Sequence, residues 1–356
     1  MNGQERIMRI IDHQLVDRVG IFESFWMPTA IEWQNQRLPK DTWPEDFFNL
    51  DAGMYWFDQS FLFPRTLIEE DEEMRIVIDE WGTHQKEYKN TQTTPGHIAF
   101  SVTRREQWEE EFKPRLVYDS TRINWDELDS RYAHLQNRGA YKMLSVLDPF
   151  ECTWHKVGSA EQMILMGMDP EWLCEMFDAD TTLVESALEE ICERGYKPDA
   201  LWIFGDIAYS SGMLFSPKMY RELLLPFHKR YCEAAHRHGC QVIYHSDGNC
   251  GAVIPCLIEA GVDCIHPLEV KAGMDVRELK KIYGDQLAFI GNIDARLFQA
   301  NDRPGLEAEI RNKVPVAMQG SGYIFHSDHS IPPGTLMETY EFGLALAKEI
   351  GQYLSG

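Results

Sequence analysis

The chain is poor in basic residues. Its 356 residues hold 34 Lys and Arg against 57 Asp and Glu, a net charge of −23. Binding of a phosphate backbone needs clustered cations, so this balance argues against nucleic acid and against an anionic membrane surface. No run approaches the roughly 18 apolar residues of a membrane span. The opening MNGQERIMRIIDHQLVDRVG lacks the apolar core of a secretion signal. Eight cysteines, at 152, 174, 192, 232, 240, 250, 256 and 264, form no CxxC pair. They read as reduced, buried small hydrophobes, and the expected location is the cytoplasm. No GxGxxG follows a strand-like run, which weakens a nucleotide-binding open sheet. Neither a low-complexity linker nor a solenoid repeat is present.

What is present is a long, core-forming chain. Hydrophobic residues make up 44% of it. A (β/α)8 barrel needs ~250 residues, which leaves about 100 for insertions. Residues 1–130 are irregular and rich in Trp and Phe, and are expected to form an N-terminal extension packed as a cap on a single domain spanning 1–356. Within the extension, MRIVIDEWGTHQKEYKN alternates apolar residues at 74, 76 and 78 before a WGT turn, the pattern of an inserted β-hairpin. From about residue 140, short apolar runs alternate with amphipathic helical stretches. Repeated βα units imply a parallel sheet, and the expected fold class is α/β, a TIM barrel. SPKMYRE places Ser216 at a helix N-cap and Pro217 at the first helical position.

Every one of the six apolar runs ends in polar residues. Asp148 follows the first and Asp206 the second. His245 and Asp247 follow the third, Glu269 the fourth, Asn292 and Asp294 the fifth, and His326, Asp328 and His329 the last. A single such residue is ordinarily a cap, but in a barrel these ends converge on one face, where the active site lies. In VIYHSDG the side chains of His245 and Asp247 point the same way, as do those of Asn292 and Asp294 and of His326 and Asp328. An imidazole beside carboxylates suits zinc or another divalent ion, although an orienting hydrogen bond without metal would use the same His245. The aromatic N-terminal segment offers Phe22 and Trp26 as pocket walls, with Tyr209 and His326 as further substrate contacts.

Three segments resemble the uroporphyrinogen decarboxylase superfamily: GDIAYSSGMLFSPKMYRELLLPFHKRYCEAAHRHG, HSDGNCGAVIPCLIEAGVDCIHPLE, and LAFIGNIDARLF followed by HSIPP. The resemblance independently implies the barrel. The true decarboxylases carry an Arg in an N-terminal MRQAGRY-like stretch; here GIFESFWMPTAIEWQ has none. DHSI is similar to the decarboxylase GHGI pattern, which places His329 on the family's histidine. The chain is more similar to the superfamily's corrinoid-linked, zinc-dependent methyltransferases, of the methylcobamide:coenzyme M type. Their HxC pair and later Cys bind zinc; here His245 matches the His, Asp247 replaces the first Cys and His329 the second. A thiolate-poor site is harder and suits Lewis-acid chemistry at an ether oxygen, as in O-demethylation, better than thiol activation. No DxHxxG occurs, so a corrinoid would arrive on a separate protein.

The expectation is therefore a methyltransferase acting on a small methyl donor and a corrinoid protein. Zinc would sit on His245, Asp247, Glu269 and His329, and Asp206, Asp148, Asn292 and Asp294 would be catalytic. A metal-free decarboxylase or other lyase on a small acid, and a non-catalytic binding protein, are the alternatives. A homodimer is compatible with the sequence, which names neither donor nor oligomeric state.

Overall fold

The computed structural model describes residues 1–89 and 95–353; Asn90, the last residue of the hairpin segment, lies outside them. Eight strands run parallel in chain order: β1 (Gly20–Ile21), β2 (Ala52–Trp56), β3 (Tyr141–Leu147), β4 (Ala200–Phe204), β5 (Gln241–His245), β6 (Cys264–His266), β7 (Ala288–Ile290) and β8 (Tyr323–Phe325). Each pairs with the next from β2 to β8, and β8 pairs back with β1. The remaining seam, between β1 and β2, is joined through Asp51. Its backbone N–H donates to the Ile21 carbonyl at 2.8 Å, and its carboxylate accepts the Ile21 N–H at 2.8 Å. Arg6 and Arg18 each hold that carboxylate at 2.7 Å. The result is a (β/α)8 barrel.

The barrel is filled from inside, as its alternation requires. Phe22, Ala52, Tyr141, Met143, Ala200, Trp202, Ile243, Cys264, Ala288, Ile290 and Ile324 form one buried cluster. The first helix, Gly3–Ile11, closes its amino-terminal end with Ile7, Ile10 and Ile11. These recur at helical spacing, so one face of the helix is apolar.

The first 130 residues differ from the expectation of a cap alone, because they supply two of the eight barrel strands. β1 has two residues and β2 begins with a glycine-containing AGM, so neither offers the length on which a period-2 signal depends. The hairpin is present as Met74–Ile78 paired with His84–Tyr88. Two further strands, Thr66–Glu70 and Gly96–Ala99, widen it into a four-stranded antiparallel sheet. Trp81 seats this sheet by stacking on His155, ring centroids 5.4 Å apart.

The helices follow the sequence closely. Ser216 caps its helix, its hydroxyl accepting from the Met219 N–H at 3.2 Å, with Pro217 next. Pro170–Glu193 forms a single 24-residue helix. The eight cysteines are all free, six of them buried. Among the described residues, no helix is long and apolar enough to cross a membrane.

Candidate active site

Strand alternation that buries Trp202, Ile243 and Ile324 inside the barrel carries the next inward positions to its carboxyl end. There His245, His266 and His326 meet. His245 Nδ1 lies 2.7 Å from His266 Nδ1, and His266 Nε2 lies 3.3 Å from His326 Nε2. Phe204 stacks on His245 with centroids 4.4 Å apart and planes 12° from parallel. Trp202 packs on His266 at 4.7 Å, and Phe22 on His326 at 5.1 Å. All three imidazoles are buried. Burial holds each of their pKa values below the ordinary histidine range, that of His326 at about 3.

Carboxylates surround this chain. Glu23, just past β1, accepts from Ser327 N–H at 3.1 Å and Oγ at 2.8 Å, and its Oε1 lies 3.2 Å from His326 Nε2. Burial lifts the Glu23 carboxyl to about 8. With His326 depressed as well, this contact is between two neutral groups and is no ion pair. At the other end, His245 Nε2 stands 3.6 Å from Asp206 Oδ1, which in turn accepts the Asp247 N–H at 2.9 Å. Burial raises the Asp206 carboxyl above its usual range. Glu151, buried beside Asp206, is lifted to about 8, again by burial first and by the Asp206 charge second.

One ligand atom from each of Asp206, His245 and Asp247 lies within 4.8 Å of the others. His245 Nε2 and Asp247 Oδ1 are both buried and neither has a hydrogen-bond partner. Buried polar atoms are ordinarily satisfied, so two orphans within one triad fit a ligand that supplies the missing contact. Two carboxylates and an imidazole make a hard N/O donor set, which fits zinc or another divalent ion. Gly248 shapes the loop that holds Asp247. It sits at φ +78°, and a Cβ there would meet the Ala208 carbonyl oxygen at 2.6 Å.

The sequence-predicted residues divide. His245 and Asp247 come together, and His329 lies beside them, Nε2 3.4 Å from Asp247 Oδ2. The Asp247 hydrogen bond raises the His329 pKa. Trp26 stacks on His329 at 6.1 Å, and Phe22 and His326 enter the buried chain, whereas Tyr209 is exposed on a two-stranded ribbon. Glu269 lies outside the triad. It accepts the Gly248 N–H at 2.9 Å and pairs with Lys271 at 2.6 Å, and Asp206 takes its place in the triad.

Three of the four catalytic candidates lie apart from the triad. Asp148 caps the helix Pro149–Val157 and faces outward, bonded to His228 and to the Tyr244 hydroxyl at 3.0 Å. Tyr244 points opposite to its neighbour His245, so Asp148 belongs to the layer between barrel and helices. Asn292, at φ +73°, spends its amide on Val276 N–H, Leu268 O and Met274 O. Asp294 caps the helix Ala295–Gln299 and pairs with Arg296 at 2.6 Å. Asp328 likewise staples loops, accepting from Val270 and Ala295 N–H. His266, Glu23 and Glu151 were missed. In DCIHPLEV the strand ends on His266, three residues before Glu269.

A cavity of about 980 Å³ opens beside the carboxyl ends of β2 and β3. Trp56, Gln59, Trp81, Ser145 and Leu147 line it, and no triad residue does. The titratable chemistry lies instead with β4, β5, β6 and β8.

The family model for uroporphyrinogen decarboxylase matches residues 155–350, more than half of the chain. The chain belongs to the uroporphyrinogen decarboxylase family. Methylated-thiol--coenzyme M methyltransferase of Methanosarcina mazei is 27% identical over 180 residues, 50% of this chain and 45% of that protein. The match thus spans less than half the length of this relative. Among solved structures, a methyltransferase from Methanosarcina mazei superposes with a TM-score of 0.70 at 14% identity, over 98% of this chain and 99% of its own. At that identity the likeness speaks for the fold. Within the family, the similarity runs to methyltransferases.

Proposed function

We propose that this chain is a metal-dependent methyltransferase that moves a methyl group from a small, oxygen-bound donor to a corrinoid carried by a separate protein. The observation that supports it most is the Asp206, His245 and Asp247 triad, with two unpartnered buried donor atoms, at the carboxyl end of the barrel. Asp206, His245 and Asp247 would hold zinc, with His329 beside them. A divalent ion there would supply Lewis-acid polarisation of the donor's oxygen. The lack of a thiolate among these ligands favours an ether oxygen over a thiol, hence O-demethylation.

The chain's own groups do the rest. Trp26, 37% exposed, and His329 present stacked flat faces beside the triad. Phe22, Trp202 and Phe204 exclude water beneath it. Glu23 and Glu151 keep their protons at neutral pH behind the site. The cavity at β2 and β3 leaves room on the same barrel end for a larger partner group. Six buried free thiols support a reducing cytoplasmic setting.

The test is a methyl-transfer assay. Purified protein with zinc, reduced free corrinoid and a panel of methoxylated, methylamine and methylthiol donors should methylate the corrinoid from a methoxylated donor, read by absorbance. His245→Ala should lower that rate by at least ~100-fold, in line with loss of a metal-held catalytic group. Methylation from thiols alone would contradict the oxygen-donor reading, and none from any donor would contradict the methyltransferase reading.

A further inference from the structure

The buried histidines outside the triad have an order that the triad alone does not explain. His326 Nδ1 lies 2.5 Å from the Ser327 carbonyl oxygen. A carbonyl oxygen only accepts, so His326 must carry its proton on Nδ1, which leaves Nε2 as an acceptor. Neutral Glu23 reaches that acceptor at 3.2 Å, and His266 Nε2 stands 3.3 Å from it and 3.4 Å from the occupied Nδ1; a lone pair on His266 Nε2 would face a lone pair, so this atom carries the proton. His266 Nδ1 is left with a lone pair, and His245 Nδ1, 2.7 Å away, must donate to it. The lone pair of His245 then sits on Nε2, the buried atom without a partner. The reverse order fails at the carbonyl. The rings pack with centroids 4.9 and 4.4 Å apart, too close for adjacent protonated imidazoles to be favourable in a buried setting.

We propose that His266, His326 and the Ser327 carbonyl form a one-way hydrogen-bond relay that fixes His245 as an Nε2 ligand aimed at Asp206 and Asp247. A lone pair facing two carboxyl groups is repulsive unless a proton or a cation stands between them, so the relay prepares this corner to receive one. Glu23 anchors the relay's far end by holding both the N–H and the hydroxyl of Ser327. His266 and His326 are positioning residues, acting through His245 as outer partners orient a metal-bound imidazole. The relay rests on the metal reading above, and its test separates the two.

In nitrogen-15-labelled, metal-free protein above neutral pH, long-range proton–nitrogen spectra report which ring nitrogen carries each proton. The expected pattern is Nδ1–H at His245, Nε2–H at His266 and Nδ1–H at His326. An Nε2–H tautomer at His245 would overturn the relay. In the second arm zinc is titrated into wild type and into His326→Phe, which keeps a ring in place but ends the relay. The variant should bind ~10–100-fold more weakly than wild type. Unchanged affinity in a variant with a wild-type melting curve would overturn the proposal; if His326→Phe does not fold, His326→Gln takes its place with the same two outcomes. Wild type that takes up no zinc contradicts the metal reading alone, because the tautomer pattern still decides the relay.

Discussion

At Glu23 a single carboxyl connects burial, proton and site. Its folded pKa of about 8 stands well above the ordinary 4.5 because burial disfavours the charged form. A group raised in this way binds its proton more tightly in the folded state. Its contribution is fully present below the ordinary value and is lost as pH rises through about 8. Between those limits it makes stability fall by ~1.4 kcal/mol per pH unit. Glu151, at about 8 for the same first cause, adds a second such slope. Glu23→Gln and Glu151→Gln should each flatten the fall by about one proton's worth in denaturant titrations across pH. A wild-type slope in both variants would show these carboxyls to be charged. Neither group was visible in the sequence as titratable. FES follows a strand of two residues, too short to give a register, and Glu151 lies in the first turn of a helix, where acidic residues are ordinary. His245 and Asp247 were visible because β5 is five residues long and its alternation survives to the strand end. Asn292 misled because polar residues after strands also serve as loop staples, and only three-dimensional neighbours distinguish the two.

At the scale of elements, the seam between β1 and β2 is the unusual part. Other strand pairs share a backbone ladder, whereas these two share one backbone hydrogen bond and a side chain. Asp51 is buried, as is Arg6, so this ion pair is screened little by solvent. Truncating one partner of a buried pair leaves the other unpaired, at a cost of about 3–5 kcal/mol. Asp51→Ala should lose that much in urea unfolding, and should also free the Ile21 N–H for fast hydrogen exchange. A loss under ~1 kcal/mol would mean that the barrel closes without this carboxylate. The six later strands were legible because each pairs a short apolar run with a long amphipathic helix. The first two were not, since their closure depends on Arg6, Arg18 and Asp51, which are far apart in sequence and show no period.

The whole molecule carries a net charge of −23, and its barrel mouth collects Asp206, Asp247 and Asp328. An octacarboxylate such as uroporphyrinogen would be repelled by this field. The N-terminal segment from 19 to 36 also supplies no Arg to pair with it. Anaerobic incubation should therefore yield no coproporphyrinogen at an enzymatic rate, and its appearance at such a rate would refute this.

The claim on which the functional reading depends is the metal at the triad. X-ray absorption at the zinc edge of zinc-loaded protein reads it directly. One ion per chain is expected, with a nitrogen and oxygen shell at ~2.0–2.2 Å that is lost in His245→Ala. A sulfur shell at ~2.3 Å, or protein that takes up no zinc at micromolar concentration, would contradict it.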